Sequence, residues 1–455
     1  MNPQIFREYD IRGLVDKDLN PGVAQAIGKG LATLCKRAGG STLVVGRDCR
    51  VTSPAYRDAL VEGATSTGIN VVDVGVVPTP LVYFAANTLP VDALVMITGS
   101  HNGPEYNGFK VGVGKTTYYG EDIQKLRKLI EAKDFDTGKT GTVTAFDIQT
   151  PYQHFVTQTV KVGRKGMKVV VDAGNGVGGA VAVPMLKAMG YDVVPLYCEM
   201  DGRFPNHHPD PTVAKNLETL IATVRKEKAE VGIAYDGDAD RIGVVDETGE
   251  IIWGDKLMIL LARHVLKDVP GAAIVGEVKC SFTLYDDVAK YGGRPIMWKT
   301  GHSLIKAKMK EEHALLAGEM SGHIFYKHRF FGFDDAPYTT ARLLEILSQS
   351  DKPMSKMLAD VPVTYASPEL RFDTIEEKKV ALVKRCTEML RAKGLKLIEV
   401  DGVRVTFPDG WGLIRSSNTT PILVVRYEAT TQARLKEIQT LIDGTIEAAK
   451  KELGA

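Results

Sequence analysis

Ile97–Lys110 reads ITGSHNGPEYNGFK, and it follows VDALVM (Val91–Met96), a short apolar run that favours a β-strand. Two glycines and a proline within the next eight residues keep the segment irregular after the strand stops. The hydroxyl of Ser100 is therefore expected at a strand's carboxyl end, where open α/β sheets place their ligands. That makes Ser100 a candidate nucleophile or phosphate carrier, although a serine in such a turn also serves as a plain turn former or helix cap. The G-x-S-x-G of a hydrolase elbow is missing, since the local string is TGSHN. Adjacent side chains on an extended loop diverge, so His101 is not expected to activate Ser100.

The same junction recurs along the chain. GRDCR (46–50) pairs with TGSHN, DAGNG (172–176) with DGDADR (236–241), and EVKCS (277–281) with GEMSGH (318–323). Within the three pairs, 47, 59 and 36 residues of helix, strand and helix separate the two strand-to-loop junctions, a spacing that fits βαβ units. The fold class is α/β: three related mixed α/β domains, repeated in layout more than in residue identity. The stretch 134–150 reads as a linker. Past about Pro362 the order changes to helix 375–393, strands LKLIEV and GVRVTF, a loop GWGLIRSSNTTP, strand ILVVRYEA and a terminal helix. That is an α+β, lid-like domain. The expected boundaries are 1–145, 146–248, 249–361 and 362–455.

With 455 residues, 44% of them hydrophobic, the chain has ample material for several packed cores. Its 57 basic and 56 acidic residues balance, which argues against a nucleic-acid or membrane partner and for a small ligand. Five scattered cysteines, with no C-x-x-C, fit a reducing cytoplasm better than a disulfide framework or a thiolate zinc site. No apolar run of about 18 residues and no leader-like amino terminus is present. FREYDIRG (6–13) precedes the first helical pattern; Arg7 and Arg12 could reach an anion from it, or the segment could be a solvated terminus with Tyr9 packed on the domain.

Asp236, Asp238 and Asp240 alternate in DGDADR, so three carboxylates can converge on one hard cation if the loop curls. Crowded together they repel one another without a cation, and oxygen-only ligation favours Mg²⁺, Mn²⁺ or Ca²⁺ over zinc. An EF-hand numbered from Asp236 would place Glu247 at position 12, but position 6 is Arg241 where glycine is required, and the flanks VGIAY and IGVV read as strands. A phosphoryl group on Ser100, neutralised by that metal with Arg241 as a further donor, makes a coherent centre. RSSNTT (415–420) offers a guanidinium, hydroxyls and amides to a phosphate. Glu319, Ser321 and His323 offer acceptors and donors to sugar hydroxyls.

TGSHNGPEYNGFK, DGDADR, GEMSGH and RSSNTTP, in this order and with FREYDIRG and MWKTGHSLIK, resemble the α-D-phosphohexomutase family, in particular its bacterial phosphomannomutase/phosphoglucomutase branch. The resemblance spans essentially the whole chain. It implies a four-domain, heart-shaped enzyme with a central cleft that interconverts hexose 1-phosphate and hexose 6-phosphate through a phosphoserine and a bound hexose 1,6-bisphosphate. In those terms Ser100 is the phosphoserine, and Asp236, Asp238 and Asp240 hold Mg²⁺ together with the Ser100 phosphate. Arg241 assists that site. Lys110 and His101, with Arg12 nearby, are the candidates for acid/base work and charge stabilisation. Tyr9, Lys279, His302, Glu319, Ser321 and His323 meet the sugar. Arg415, Ser417, Asn418 and Thr419 grip the phosphate that is not reacting. The partner implied is a phosphosugar, and a monomer is expected, with a dimer left open.

GEMSGH resembles the mannose/glucose branch, whereas GEQSGH would suggest glucosamine. A phosphoglucosamine mutase, a metal-dependent sugar phosphatase and a non-catalytic sugar-phosphate binder are the alternatives. Two departures from the family pattern are visible. Gly103 stands where proline is frequent and should loosen the loop. Ala239 stands where glycine is frequent and is expected to fit only with a negative φ.

Overall fold

The computed structural model describes residues 1–417 and 421–454. In the first sheet, Thr42–Arg47 lies between two parallel neighbours, Asn70–Val76 and Ala93–Ile97. Tyr106–Val113 folds back antiparallel on Ala93–Ile97, with Lys110 opposite Met96, and Ile11–Leu14 lines its outer side with Arg12 opposite Gly108. All five residues of Ala93–Ile97 are buried, as expected of a continuous apolar run inside a sheet. The other edge is closed by Val143–Ala145, parallel to Asn70–Val76, so the expected linker 134–150 contributes a strand. Its three residues are all exposed, which leaves an edge strand without the burial signal that would mark it.

Helices Pro21–Arg37 and Ser53–Thr65 cross so closely that a Cβ at Gly28 would lie 2.1 Å from the Leu60 carbonyl oxygen, and one at Gly63 would lie 2.2 Å from that of Gln25. Helix Thr79–Thr88 is buried along most of its length and has no polar face, so a 3.6-residue period cannot reveal it.

The second sheet repeats the plan. Lys168–Asp172 runs parallel to Asp192–Leu196 and Val231–Tyr235, and Val231–Tyr235 turns into Ile242–Asp246 as an antiparallel hairpin. The hairpin Ile324–Tyr326 with Phe333–Asp334, and helix Ala336–Ser348, complete the same compact unit, which comprises 1–257 and 321–357. Helix Ala336–Ser348 is buried at every position. It is moored by an aromatic cluster: Phe330 stacks on Tyr338 at 3.9 Å, Phe84 meets Tyr152 edge-on at 5.3 Å, and Phe155 lies 5.3 Å from Phe331.

The second unit comprises 258–320 and 358–454 of the described residues. Ala273–Glu277 lies parallel between Arg294–Trp298 and Leu316–Gly318. The remainder is an antiparallel sheet, Lys396–Ile398, Val403–Phe407, Gly410–Ser416 and Ile422–Ala429 in order, with Leu370–Asp373 and Tyr365–Ala366 along the last. Helices Lys379–Ala392 and Gln432–Leu453 bury Leu382, Cys386, Ile438, Ile442 and Ile446 against that sheet. GWGLIRS, expected as loop, is strand. Gly410 and Gly412 are there for close approach: a Cβ at Gly410 would meet the Glu428 carbonyl oxygen at 2.5 Å, and one at Gly412 the Ile442 side chain at 2.7 Å. Thirteen α-helices occur among the described residues, and none is long and apolar enough to cross a membrane.

Candidate active site

The carboxyl end of Ala93–Ile97 delivers Ser100, and the Val231–Tyr235 hairpin delivers the three aspartates. Ser100 Oγ lies 3.0 Å from Asp236 Oδ2, and the hydroxyl is 97% shielded from solvent with its residue. Ser100 takes a left-handed φ of 50°, and its amide is held by Thr98 Oγ1 at 2.8 Å. That turn brings Ser100 Oγ within 3.2 Å of His101 Nδ1, so the expected divergence of the two side chains does not occur. The loop is not extended at this residue, and the alternation argument fails with it.

Asp236 organises its own loop, its Oδ1 accepting from the amides of Asp240 and Arg241, each at 3.1 Å. Ala239 closes the turn at φ 56°, not the negative φ expected. Its amide bonds the Asp236 carbonyl at 3.1 Å, and the fixed hairpin on either side keeps it in the left-handed region that alanine avoids by itself.

The three carboxylates are fully buried, with one oxygen from each within 4.8 Å of the others. Lys110 donates to Asp238 Oδ2 at 2.8 Å and to Asp240 Oδ2, and Thr79 Oγ1 donates to Asp238 Oδ2 at 2.5 Å. Asp238 Oδ1 and Asp240 Oδ1, although buried, accept no hydrogen bond among the described residues. Burial and then repulsion from Asp240 and Asp238 push the Asp236 carboxyl well above the usual range. Burial would raise Asp238 too, but the Lys110 ammonium and the bonds from Lys110 and Thr79 outweigh it and hold that carboxyl low. Burial would lower Lys110, but Asp238 and Asp240 outweigh it and keep it protonated well above its ordinary value. Orphaned carboxylate oxygens, mutual repulsion and an oxygen-only donor set fit a hard divalent cation.

Around this centre, Arg12 donates to Asn102 Oδ1 and Asp10 Oδ2, each at 2.5 Å. Arg241 Nε donates to His323 Nε2 at 2.9 Å, and His323 Nδ1 lies 2.9 Å from Asp334 Oδ2 and 3.6 Å from Asp240 Oδ1. Burial, followed by the Arg241 and Arg12 charges, lowers His101 well below an ordinary imidazole. The first unit thus gathers Ser100, His101, Arg12, Lys110, Arg241, His323 and the three aspartates. Tyr9 and Ser321 are in the same unit, both half-buried.

The second unit gathers another set. Lys279 Nζ lies 3.6 Å from Glu277 Oε1 and donates to Glu369 Oε2 at 3.1 Å. Glu277 also accepts from Thr300 Oγ1 at 2.5 Å and from the Met320 amide at 3.0 Å, while Glu319 Oε1 accepts from the Gly301 amide at 2.5 Å. Asp401 Oδ2 joins the Thr300 amide, at 3.1 Å, to Arg415 Nε, at 2.9 Å. His302 opens the helix that follows Gly301, and Ser417 is buried just past the strand that carries Arg415. Asn418 and Thr419 lie outside the described residues.

Thr79, Asn102, Glu277, Asp334 and Asp401 were not singled out in the sequence. Thr79 sits in a VPTP string and Asp334 in an FDD string, both without periodicity. Thr79 takes its meaning from Asp238, 159 residues on, and Asp334 from His323.

Four family models match in succession. Phosphoglucomutase/phosphomannomutase α/β/α domains I, II and III match residues 3–137, 150–249 and 253–365, and the C-terminal domain matches 369–444. A Pseudomonas aeruginosa protein named phosphomannomutase/phosphoglucomutase is 47% identical over 99% of this chain and 96% of its own. A Neisseria meningitidis phosphoglucomutase is 47% identical over 98% of this chain and 97% of its own. The crystal structure of a Burkholderia thailandensis phosphoglucomutase/phosphomannomutase family protein superposes with a TM-score of 0.95 at 44% identity, over 99% of this chain and 98% of that one. With all four domains matched in order and near-complete coverage at this identity, the chain belongs to the phosphoglucomutase/phosphomannomutase family.

Proposed function

We propose that this chain interconverts hexose 1-phosphates and hexose 6-phosphates of mannose and glucose, with Ser100 carrying the phosphoryl group and a hexose 1,6-bisphosphate as intermediate and activator. The observation that carries this reading is the 3.0 Å approach of the buried Ser100 hydroxyl to Asp236 at the head of a three-aspartate loop. A hydroxyl so placed has little use in a simple binding protein. The names of the Pseudomonas and Neisseria relatives point the same way.

Asp236, Asp238 and Asp240 would hold Mg²⁺, which when bound supplies positive charge to the oxygens of the phosphoryl group. This chain's own residues do the rest. In transfer to the sugar, the bond from phosphorus to Ser100 Oγ breaks as one to a sugar hydroxyl oxygen forms; the sugar's hydroxyl proton passes to a base of the site and Ser100 Oγ takes up a proton, so the two oxygens exchange a phosphoryl group for a proton. Arg12, Lys110 and Arg241 put three cations around the charge in transfer. His101, kept neutral by burial and placed 3.2 Å from Ser100 Oγ, is suited to exchange a proton at that atom. Lys279, His302, Glu319, Ser321 and His323 are assigned to the sugar, with Tyr9 beside it. Arg415, Ser417, Asn418 and Thr419 are assigned to the phosphate that is not reacting. Binding energy at that remote phosphate can orient the reacting end.

The test supplies mannose 1-phosphate, glucose 1-phosphate or glucosamine 1-phosphate with Mg²⁺ and catalytic glucose 1,6-bisphosphate, and follows products by phosphorus NMR. The neutral sugars should give the 6-phosphate, with no turnover in Ser100→Ala. Inorganic phosphate forming as fast as the isomer would show a phosphatase, and a clear preference for the amino sugar would overturn the sugar assignment.

A further inference from the structure

Arg50 belongs to GRDCR, the junction that pairs with the Ser100 loop, and it has no place in the reaction described above. Its side chain is 1% exposed, with every N–H committed. Nη1 donates to the carbonyls of Gly103, at 2.5 Å, and Tyr106, at 3.0 Å. Nη2 donates to those of Ser100, at 2.8 Å, and Asn102, at 2.6 Å. Nε donates to Asp48 Oδ2 at 3.0 Å. Those bonds use the five donors of a guanidinium, and a lysine, with three donors on one nitrogen, could not reproduce them.

Asp48 fixes the guanidinium in turn. Its Oδ1 takes the Arg50 amide at 3.0 Å and Ser53 Oγ at 2.7 Å, while its Oδ2 also takes the Gly99 amide at 3.3 Å. Phe204 lies under the guanidinium at 4.9 Å. Gly99 makes the approach possible, since a Cβ there would be 2.6 Å from Arg50 Cζ.

We propose that Arg50 is a positioning residue for phosphoryl transfer: its guanidinium grips four carbonyls of the 100–106 loop and so sets the backbone that presents Ser100 Oγ to Asp236. The loop needs such a grip on two counts. Ser100 sits at φ 50°, a conformation that holds only when its surroundings over-determine it. Gly103, where a proline would stiffen the loop, has its carbonyl held by Arg50 instead. Arg50 touches the backbone of the loop and reaches none of the carboxylates that would hold a metal, so its effect should fall on the transfer step and spare substrate binding.

The inference rests on the mutase reading, and the first measurement separates the two. If the wild-type enzyme does not interconvert hexose phosphates, the functional reading fails, whatever Arg50 does. With an active wild type, Arg50→Lys should lower kcat about 100-fold, as expected for a misplacement of roughly 1 Å, with KM for the hexose phosphate changed less than about twofold. Hydrogen exchange should accelerate at amides 99–106, with protection kept in the two central strands Thr42–Arg47 and Ala93–Ile97. Should Arg50→Lys fail to fold, Asp48→Asn, which loosens the guanidinium without removing it, should show the same split with a smaller loss. A kcat within about threefold of wild type in whichever variant folds overturns the proposal. So does a fall in kcat accompanied by an equal rise in KM.

Discussion

Lys110→Met separates the charge that the protein supplies to its aspartates from the charge a metal supplies. Lys110 is 3% exposed and donates to both Asp238 and Asp240, which are themselves fully buried. Methionine keeps most of the volume and removes the ammonium, leaving two carboxylates in a dry site with Thr79 still donating to Asp238. Breaking a buried ion pair in this way costs about 3–5 kcal/mol, because the remaining charge stays desolvated and uncompensated. A divalent cation at the three aspartates would restore compensation. At a concentration 100 times its Kd, a cation that binds only the folded protein stabilises wild type by about 2.7 kcal/mol. In Lys110→Met it should add to this much of the lost 3–5 kcal/mol, since it no longer shares the carboxylates with an ammonium. Urea unfolding of both proteins with EDTA and with saturating Mg²⁺ reads the four numbers directly. The variant should be markedly weaker in EDTA and close much of that gap in Mg²⁺, with a tighter Mg²⁺ affinity by calorimetry. Equal Mg²⁺ stabilisation of both proteins would refute the idea that Lys110 and the metal act on the same carboxylates.

Asp335 carries a pH signature of its own: burial pushes its carboxyl from 3.8 up to about 7, while the Tyr338 amide, at 2.7 Å, and Tyr152 Oη, at 2.9 Å, donate to it and oppose the rise. The folded chain therefore keeps a proton there that the unfolded chain releases, so this contribution is fully present below about pH 4 and is lost as pH rises through 7, up to about 4 kcal/mol. Asp335→Asn should flatten the fall of the urea midpoint between pH 4 and pH 8, and an unchanged slope would count against it. Asp238→Asn should lower kcat by several kcal/mol of transition-state stabilisation, on the order of 100-fold or more, in steady-state assays at saturating Mg²⁺; an unchanged rate would remove Asp238 from the metal site. Arg415→Ala should raise KM about 10- to 100-fold through loss of a charge-assisted bond, yet leave phosphorylation of Ser100 by glucose 1,6-bisphosphate nearly intact; the reverse ranking would place Arg415 elsewhere.

The features that show in the sequence are those whose cause is local. Apolar runs such as VVVD and VGIAY are strands because their own residues bury both faces, and DGDADR is legible as an acidic cluster that could hold a cation because three carboxylates alternate over five positions. Features with a distant cause leave no such mark. Helix Thr79–Thr88 has no polar stripe, because neighbours surround it. Val143–Ala145 is a strand only because Asn70–Val76 offers it an edge. GWGLIRS looks like a turn because two of its first three residues are glycine, yet both glycines answer to a helix and a strand that come later in the chain. The site divides in the same way. Ser100, Lys110 and the aspartates stand in recognisable strings, whereas Thr79 matters only through Asp238, 159 residues on.

The two misread backbone angles share one physical origin. Single-residue rules place serine and alanine at negative φ, yet Ser100 and Ala239 sit at 50° and 56° on the two loops that meet at the centre. A Cβ at Gly237 would stand 2.5 Å from the Ser100 carbonyl oxygen, so the aspartate loop runs its backbone directly against the serine loop. At such a separation each loop leaves the other little room to relax. Ala239 is held by Asp236 from within its own hairpin, and Ser100 by Thr98 and Arg50 from the other side. The left-handed cost, about 1–2 kcal/mol at each residue, is set against those bonds and against the 3.0 Å bond between the loops, from Ser100 Oγ to Asp236 Oδ2. Local sequence alone does not forecast the Ser100 angle, because Ser100 is also held by Arg50, 50 residues away, and bonds Asp236, 136 residues away.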